Sequence, residues 1–531
     1  MKSPLLLDCT LRDGGFVNDW DFGFGSIKSI ISRLDYAGID IIEVGFIDER
    51  REYDENRSIF PDTKSILPLF KGYEKSKALI IGMIDYGTCD IDKVSSQSES
   101  CLDGIRVIFK KNYQDEAIEY LKKIKEKGYK IFANPVSITE YSTDEITALI
   151  EKLNRIEPFA VSIVDTYGLM HSHELNCVFD IFDRLLNENI ILGYHAHNNF
   201  QMAYANSISI MEKKAKRTIA IDGSLHGMGK SAGNACTELL AMYMNEFCER
   251  NISVDQIQEA IDVDIIKEYA RKPWGYNFEY YVAALNDCHP SYVQHLIEKK
   301  VLSVKSINEI LGSIPDERKL KFELELVENR FNEYQDQYFD DTLTIESLKS
   351  EFSNRNIMLL GPGKTIHDNY SDITTYISNN NPMIVSINFL NELFSIDCVF
   401  MGNAKRYSQF FHELYREKSD VKIICTSNIT EFGMKIDYVA NYSSLLSTNP
   451  IIRDNPLIMF IKLLMRAGIN EVSLAGFDGY TEDNSVNYYS DYIRLLYCQD
   501  NVMLRNEAIR EELKELSNFV QIHSITPTRY L

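Results

Sequence analysis

Nowhere in this chain do about eighteen apolar residues run together, so no segment reads as a membrane-crossing helix. No run of Lys and Arg stands anywhere along it. The 78 acidic residues outnumber the 56 basic ones, for a net charge of −22. Nucleic acid and anionic membranes are held through clustered cations, so both partner classes are disfavoured. The first residues hold one lysine and a short leucine run before Asp8, too little for a secretion signal. The ten cysteines (Cys9, Cys89, Cys101, Cys177, Cys236, Cys248, Cys288, Cys398, Cys425, Cys498) include no CxxC pair. Without a secretion signal they read as reduced thiols, many of them core residues, and the expectation is a cytoplasmic protein. No repeat or low-complexity tract appears.

What is present is enough for sizeable cores. Apolar residues make up 45% of 531 positions and aromatics 11%, which points to two or three domains. The first half has a regular beat. Eight short apolar stretches, Leu5–Leu11, Asp40–Gly45, Ala78–Ile84, Gly104–Phe109, Lys130–Ala133, Ala160–Asp165, Ile190–His195 and Thr218–Ser224, alternate with amphipathic stretches such as Ile27–Tyr36, Gln114–Lys127, Thr143–Arg155 and Glu174–Asn187. Strand–helix alternation implies parallel pairing, and eight units in about 250 residues fit a (β/α)8 TIM barrel, with the open doubly wound sheet as rival. Residues 240–350 are helical or ambiguous and rich in charge and aromatics; Lys319–Val327 could be strand or helix. From Asn356 a second α/β beat begins, with strands at Ile357–Leu360, Met383–Ile387, Cys398–Met401, Val421–Thr426, Tyr438–Val439 and Glu471–Ala475. The expected organisation is a barrel over 1–285, a helical tail and connector over 286–352, and a Rossmann-like α/β domain over 353–531.

Two histidines one residue apart, His195 and His197, follow the apolar run Ile190–Leu192. Residues i and i+2 of a strand point to one side, so a strand end can present two imidazoles to a divalent metal. Asp13, after the first strand, completes a plausible Asp-His-His set. Other chemistry-bearing residues also fall at strand exits: Arg12 after the first, Glu43 at the second, Asp165 and Thr166 after the sixth. The loop from Gly223 to Asn234 follows the eighth. In a barrel these exits share the C-terminal face, where such folds carry their chemistry. Each residue alone has a plain structural role, such as a cap, an ion pair or a turn. Their joint placement on one face is harder to explain that way.

Leu-Asp-Cys-Thr-Leu-Arg-Asp-Gly-Gly (7–15), Ile-Glu-Val-Gly (42–45), Val-Asp-Thr-Tyr-Gly (164–168), His-Ala-His-Asn (195–198) and Gly-Met-Gly-Lys-Ser-Ala-Gly-Asn-Ala-Cys-Thr-Glu (227–238) occur in this order. Together they resemble the DRE-TIM metallolyases, a superfamily that includes 4-hydroxy-2-oxovalerate aldolase, HMG-CoA lyase and the isopropylmalate and homocitrate synthases. The resemblance implies a divalent metal on Asp13, His195 and His197, with Asn234 as a further or supporting ligand. It also implies Arg12 as enolate stabiliser and Glu43 as the residue orienting Arg12 or a metal-bound water. The metal would polarise a 2-oxo acid and Arg12 would meet the developing charge. Mixed N/O ligation suits Mn²⁺ or Mg²⁺, with Zn²⁺ or Co²⁺ as alternatives. Aldolases of this type carry a histidine shortly after Arg-Asp-Gly, where Gly15-Phe16 stands here. His226 is the nearest replacement by position, Tyr167 another, with His171 and His173 further along; Thr166 joins the catalytic candidates.

In the second domain, Gly361-Pro-Gly363-Lys364-Thr365 fails as a P-loop, because Met358 stands where the first glycine is required. A Gly-x-Gly loop remains that could hold an anion or only turn the chain. With Asn388, Asn403 and Asp478 at further strand exits, it suggests a nucleotide or sugar phosphate on the ligand edge of the sheet. The pattern loosely resembles nucleotide-sugar-utilising domains such as sialyltransferase-like folds. The leading expectation is a metal-dependent aldolase acting on a pyruvate-type 2-oxo acid and an aldehyde, as a homo-oligomer. A Claisen-type synthase using an acyl donor such as acyl-CoA is the alternative. A degenerate barrel that only scaffolds the second domain is a third reading, against which the retained Arg12, Asp13, Glu43, His195 and His197 speak.

Overall fold

The structure is a computed structural model and describes residues 3–73, 77–319, 321–416, 420–430, 436–483, 487–490 and 501–531. Cys498 lies outside the described residues. The chain divides into two compact units, Met1–Pro290 and Ser291–Leu531.

The first unit is a closed parallel barrel. Its strands are β1 (Leu5–Asp8), β2 (Ile41–Ile47), β3 (Leu79–Asp85), β4 (Gly104–Phe109), β5 (Lys130–Pro135), β6 (Ala160–Asp165), β7 (Ile191–Ala196) and β8 (Ile219–Gly223). Each pairs with the next, and β1 closes the ring by pairing with both β2 and β8. A two-residue strand, Ile59–Phe60, extends β2 at one side. The helices Phe24–Ala37, Gln114–Glu126, Thr143–Ile156, Ser172–Leu185, Ala203–Met211 and Thr237–Phe247 pack their apolar faces on the strands. Two crossovers depart from the beat. Between β2 and β3 runs a 3₁₀ stretch, Lys64–Phe70, containing Pro68, and between β3 and β4 there are only two 3₁₀ turns. The first strand is also shorter than its apolar spelling suggests. Asp8 accepts the Thr10 amide at 2.9 Å, and the chain turns there into a single helical turn, Thr10–Asp13. No described helix is long and apolar enough to cross a membrane.

The second unit begins with helices, including Val304–Gly312, Leu324–Gln335 and Thr342–Phe352. Of the ambiguous stretch Lys319–Val327, residues 324–327 are helical and 321–323 are neither helix nor strand, while 320 lies outside the described residues. Seven parallel strands follow: β9 (Ile357–Leu360), β10 (Met383–Ile387), β11 (Cys398–Met401), β12 (Lys422–Thr426), β13 (Tyr438–Ala440), β14 (Glu471–Ala475) and β15 (Gln521–Ser524). Their spatial order is β13-β12-β11-β10-β9-β14-β15. Apolar clusters cover both faces, as parallel sheets require. β15 has no counterpart among the expected strands, because Gln-Ile-His-Ser at a sheet edge carries little apolar signal.

Candidate metal centre and active site

The helical turn after β1 puts Arg12 and Asp13 at the barrel rim. Trp20 Nε1 donates to the Arg12 carbonyl at 2.8 Å, and the Thr10 hydroxyl accepts the Leu225 amide at 2.7 Å, tying the turn to the loop after β8. His195 lies in β7 and His197 just beyond it, its amide donating to the Asp165 carbonyl at 3.1 Å. A bridge pairs His197 with Asn234 and brings the far end of the β8 loop onto the same spot. Gly229 makes that approach possible. A Cβ there would meet Asn234 Nδ2 at 2.2 Å and Asp13 Oδ2 at 2.5 Å.

The result is a buried cluster. One potential ligand atom each from Asp13, His195 and His197 lie within 4.8 Å of one another. His197 Nδ1 sits 3.8 Å from Asp13 Oδ2, too far to bond it and close enough for both to reach one cation. His197 Nδ1 and Asn234 Oδ1 are buried and have no hydrogen-bond partner among the described residues. Burial pulls His197 down to about 4, against the pull of Asp13, so its imidazole is in the neutral, ligating form. Burial opposes the Asp13 carboxylate, but Arg12, His197 and His195 outweigh it and hold it well below the usual range. Orphaned acceptors, neutral imidazole and an ionised carboxylate in one buried place fit a divalent cation.

Around the cluster runs an ionic chain. Arg12 donates from Nε to Glu43 Oε2 at 2.7 Å and from Nη1 to Asp13 Oδ1 at 2.6 Å. Glu43 Oε1 lies 3.6 Å from Arg106 Nη1, and Arg106 Nη2 donates to Asp222 at 2.5 Å. Asp222 Oδ2 in turn lies 3.0 Å from His195 Nδ1. Burial works against the Arg12 cation, yet Glu43 and Asp13 raise its pKa above the ordinary arginine value. Three guanidinium nitrogens of this ionic chain are buried without a hydrogen-bond partner among the described residues: Arg106 Nε, Arg106 Nη1, which faces Glu43, and Arg12 Nη2.

Arg106 and Asp222 were absent from the sequence reading. Each is a single charge inside an apolar strand, Gly-Ile-Arg-Val-Ile-Phe and Ile-Ala-Ile-Asp-Gly, and that incongruity was the available signal. Lys230 is a further addition. Its ammonium stands 5.6 Å from the centre of the Phe16 ring, beside the place of the missing histidine, and its amide lies 3.4 Å from Asp13. Of the other expected residues, Thr166 accepts the Ser137 amide at 2.7 Å. His226 is turned to other neighbours, with its ring edge-on to Tyr269 at 5.0 Å and to Trp274 at 5.9 Å.

Residues 3–263 match the family described as HMGL-like. The barrel is an HMGL-like domain of the DRE-TIM metallolyase superfamily. The chain is 27% identical over 252 residues to the 4-hydroxy-2-oxovalerate aldolase of Roseiflexus sp. (strain RS-1), covering 46% of this chain and 71% of that one. It is 28% identical over 261 residues to the 2-isopropylmalate synthase of Buchnera aphidicola subsp. Acyrthosiphon pisum, covering 46% of this chain and 47% of that one. Among solved structures, the HMG-CoA lyase of Bacillus subtilis aligns at 17% identity over 52% of this chain and 96% of that one, with a TM-score of 0.42. The relatives of the HMGL-like barrel are thus enzymes, lyases and a synthase among them.

In the second unit the expected ligand loop is filled from within. The amides of Gly361, Gly363 and Thr365 go to Ala475, Gly476 and Asp478 respectively. Gly363, Asn388 and Asp478 line a cavity, whereas Lys364 is exposed and is not among its lining residues.

Proposed function

We propose that the barrel is a divalent-metal-dependent aldolase, a carbon–carbon lyase acting on a pyruvate-type 2-oxo acid. The observation that carries this reading is the unpaired Arg12 Nη2. Glu43 and Asp13 fix the guanidinium by its other two nitrogens, so the third is aimed and desolvated without a partner. Such a donor stabilises charge that develops during reaction without reorganising first. In the lyase direction of a 4-hydroxy-2-oxo acid the hydroxyl loses its proton and the C3–C4 bond breaks, C4 leaving as the aldehyde. The electron pair of that bond becomes the enolate of the 2-oxo acid, and Nη2 donates to that enolate oxygen. Asp13, His195 and His197 would hold Mn²⁺ or Mg²⁺, with the Asn234 carboxamide oxygen as a further or supporting ligand. Bound there, the cation supplies a Lewis acid for the 2-oxo group. Asp222 orients His195 from behind, the arrangement by which carboxylates fix ligating imidazoles. The proton on the cleaved alcohol needs an acceptor. His226 finds less support, because its ring is committed to Tyr269 and Trp274. Thr166, whose hydroxyl already accepts the Ser137 amide, and Lys230, a cation, do not accept it as they stand, so the proton passes to water at the rim.

A synthase joining a 2-oxo acid to an acyl-CoA shares the enolate logic and is supported by the similarity to isopropylmalate synthase. Mass spectrometry of pyruvate incubated with Mn²⁺ and with varied aldehydes or acyl-CoAs separates the two. The metal assignment has its own test. His195→Ala with His197→Ala should abolish both metal retention, read by elemental analysis, and turnover. One equivalent of metal bound at wild-type affinity in that double variant would place the site elsewhere.

A further inference from the structure

The chemistry of the barrel leaves the second unit unused, and its sheet has a turning point. The chain runs outward from β9 through β10 to β13, then returns to lay β14 on the other flank of β9. The connections leaving β9 and β14 therefore part to opposite sides. In open parallel sheets that parting makes the crevice where ligands bind. A cavity of about 380 Å³ opens here, and residues just after β9, β10, β11 and β14 line it.

Its charges are unbalanced. Arg406, two residues into the helix that follows β11, is only 7% exposed. Its Nη1 donates to Gln409 at 2.8 Å, and no carboxylate pairs with it among the described residues. Burial, only partly offset by Tyr488 and Tyr480, pulls its pKa below the ordinary arginine value. Arg505, on the helix Val502–Leu516, lies 5.2 Å from the centre of the Tyr480 ring, and its buried Nε has no partner among the described residues. Lys299 also lines the cavity but is bound to Glu328 at 2.6 Å. Among the described residues neither carboxylate of the lining forms an ion pair with either arginine. Asp478 is turned into its own loop, where it accepts the Thr365 amide at 2.9 Å and the Thr365 hydroxyl. Burial pushes Asp454 up, and the charges of Arg505 and Arg453, acting at longer range, offset this only in part.

The neutral lining is donor-rich and flat. Asn388 and Asn403 spend their carbonyl oxygens on the amides of Gly402 and Arg406, which leaves both Nδ2 groups without a partner among the described residues. Tyr480, Tyr488 and Tyr530 supply ring faces. Surplus guanidinium and carboxamide donors call for an anion rich in acceptors, and rings beside them suit a planar group.

We propose that this crevice binds a nucleoside phosphate, with the phosphate on Arg406 and Arg505 and the base against the tyrosines. The phosphate goes to side chains rather than to the Gly361–Thr365 amides, because Asp478 and the neighbouring carbonyls already occupy those. The test uses the full chain, calorimetric titration and thermal unfolding. The probes are CMP, UMP, AMP, GMP, UDP and ADP at about 1 mM, each nucleoside alone and inorganic phosphate alone. At least one nucleotide should bind, about tenfold or more tighter than its nucleoside or phosphate. Arg406→Gln and Arg505→Gln should each weaken it roughly 10- to 100-fold. Arg505 is half-exposed, so its variant reports even where Arg406→Gln fails to fold. No binding by any nucleotide, equal binding by phosphate alone, or undiminished binding in Arg505→Gln would overturn the proposal.

Discussion

The two units handle buried arginine in opposite ways. In the barrel, Arg106 and Arg12 are enclosed by Asp222, Glu43 and Asp13, so each charge is answered by another inside the protein. In the second unit, Arg406 is nearly as buried, and among the described residues it is met by a glutamine amide and no carboxylate. A guanidinium kept in low dielectric without a counter-charge costs stability. The comparison teaches that the barrel's charges serve one another and hold a geometry, in which Arg12 Nη2 keeps a donor without a partner among the described residues, beside the Asp-His-His cluster. In the cavity no ion pair answers Arg406 among the described residues, and that is the opening proposed for a nucleoside phosphate.

The largest effect should come from cutting the barrel chain. Arg106→Met takes the guanidinium from buried Asp222, which keeps His195, and leaves Glu43 to Arg12, a change that should cost up to about 3–5 kcal/mol. Arg406→Met removes an unanswered cation and should shift stability by less than about 1 kcal/mol, or raise it. Both tryptophans, Trp20 and Trp274, lie in the first unit, so their fluorescence in urea follows Arg106→Met. Circular dichroism of the whole chain follows Arg406→Met. Equal losses in the two variants would erase the contrast. Next in size is Arg12→Lys. It replaces a fixed fork by a point charge and should lower kcat by about 100- to 1,000-fold. An Arg12→Lys enzyme with near-normal kcat removes the role assigned to Nη2. Asp222→Asn should act less strongly. It preserves shape but weakens the partner of His195 Nδ1, and metal affinity measured by calorimetry should fall about 10- to 100-fold. Unchanged affinity would reduce Asp222 to a counter-ion for Arg106.

Much of this was legible because it repeats. The eight barrel strands announce themselves as apolar runs spaced by amphipathic helices, and the rim residues follow from knowing which strand ends share a face. Arg106 and Asp222 were hidden by the same rule, since a strand spelled Ile-Arg-Val-Ile or Ile-Asp-Gly scores as core and its one charge as an exception. Only the closed barrel puts those two exceptions beside each other. In the cavity, Arg406 and Arg505 stand 99 positions apart on two helices (505 − 406 = 99), and nothing local marks either as a partner of the other. The Gly-x-Gly loop misled for a physical reason. The Gly361 and Gly363 amides are spent on backbone carbonyls, and the Thr365 amide binds an anion of the same chain, Asp478.

The smallest effect sharpens the comparison from inside the barrel. Asp8 is as buried as Asp222, but its hydrogen-bond partners are neutral and the nearby charge, Glu238, is negative: it accepts from the Thr10 amide and from the Thr237 hydroxyl at 2.6 Å. Burial pushes Asp8 up to about 6 despite those bonds, whereas Arg106 and His195 overcome burial at Asp222 and bring it down. If guanidinium pairing is what lets the barrel keep carboxylates ionised, Asp8 should show the cost of lacking it. A folded-state pKa above the unfolded one contributes stability that is complete below about pH 4 and is lost as pH rises through 6. Asp8→Asn keeps the shape and an acceptor for Thr10 but cannot ionise. Relative to this variant, the wild type should lose on the order of 1–2 kcal/mol between pH 4 and 6.5 and nothing more above it. Urea unfolding followed by tryptophan fluorescence across that range reads the difference directly. Parallel pH curves for the two proteins would mean that Asp8 titrates normally, and that burial without a guanidinium is tolerated here as easily as burial with one.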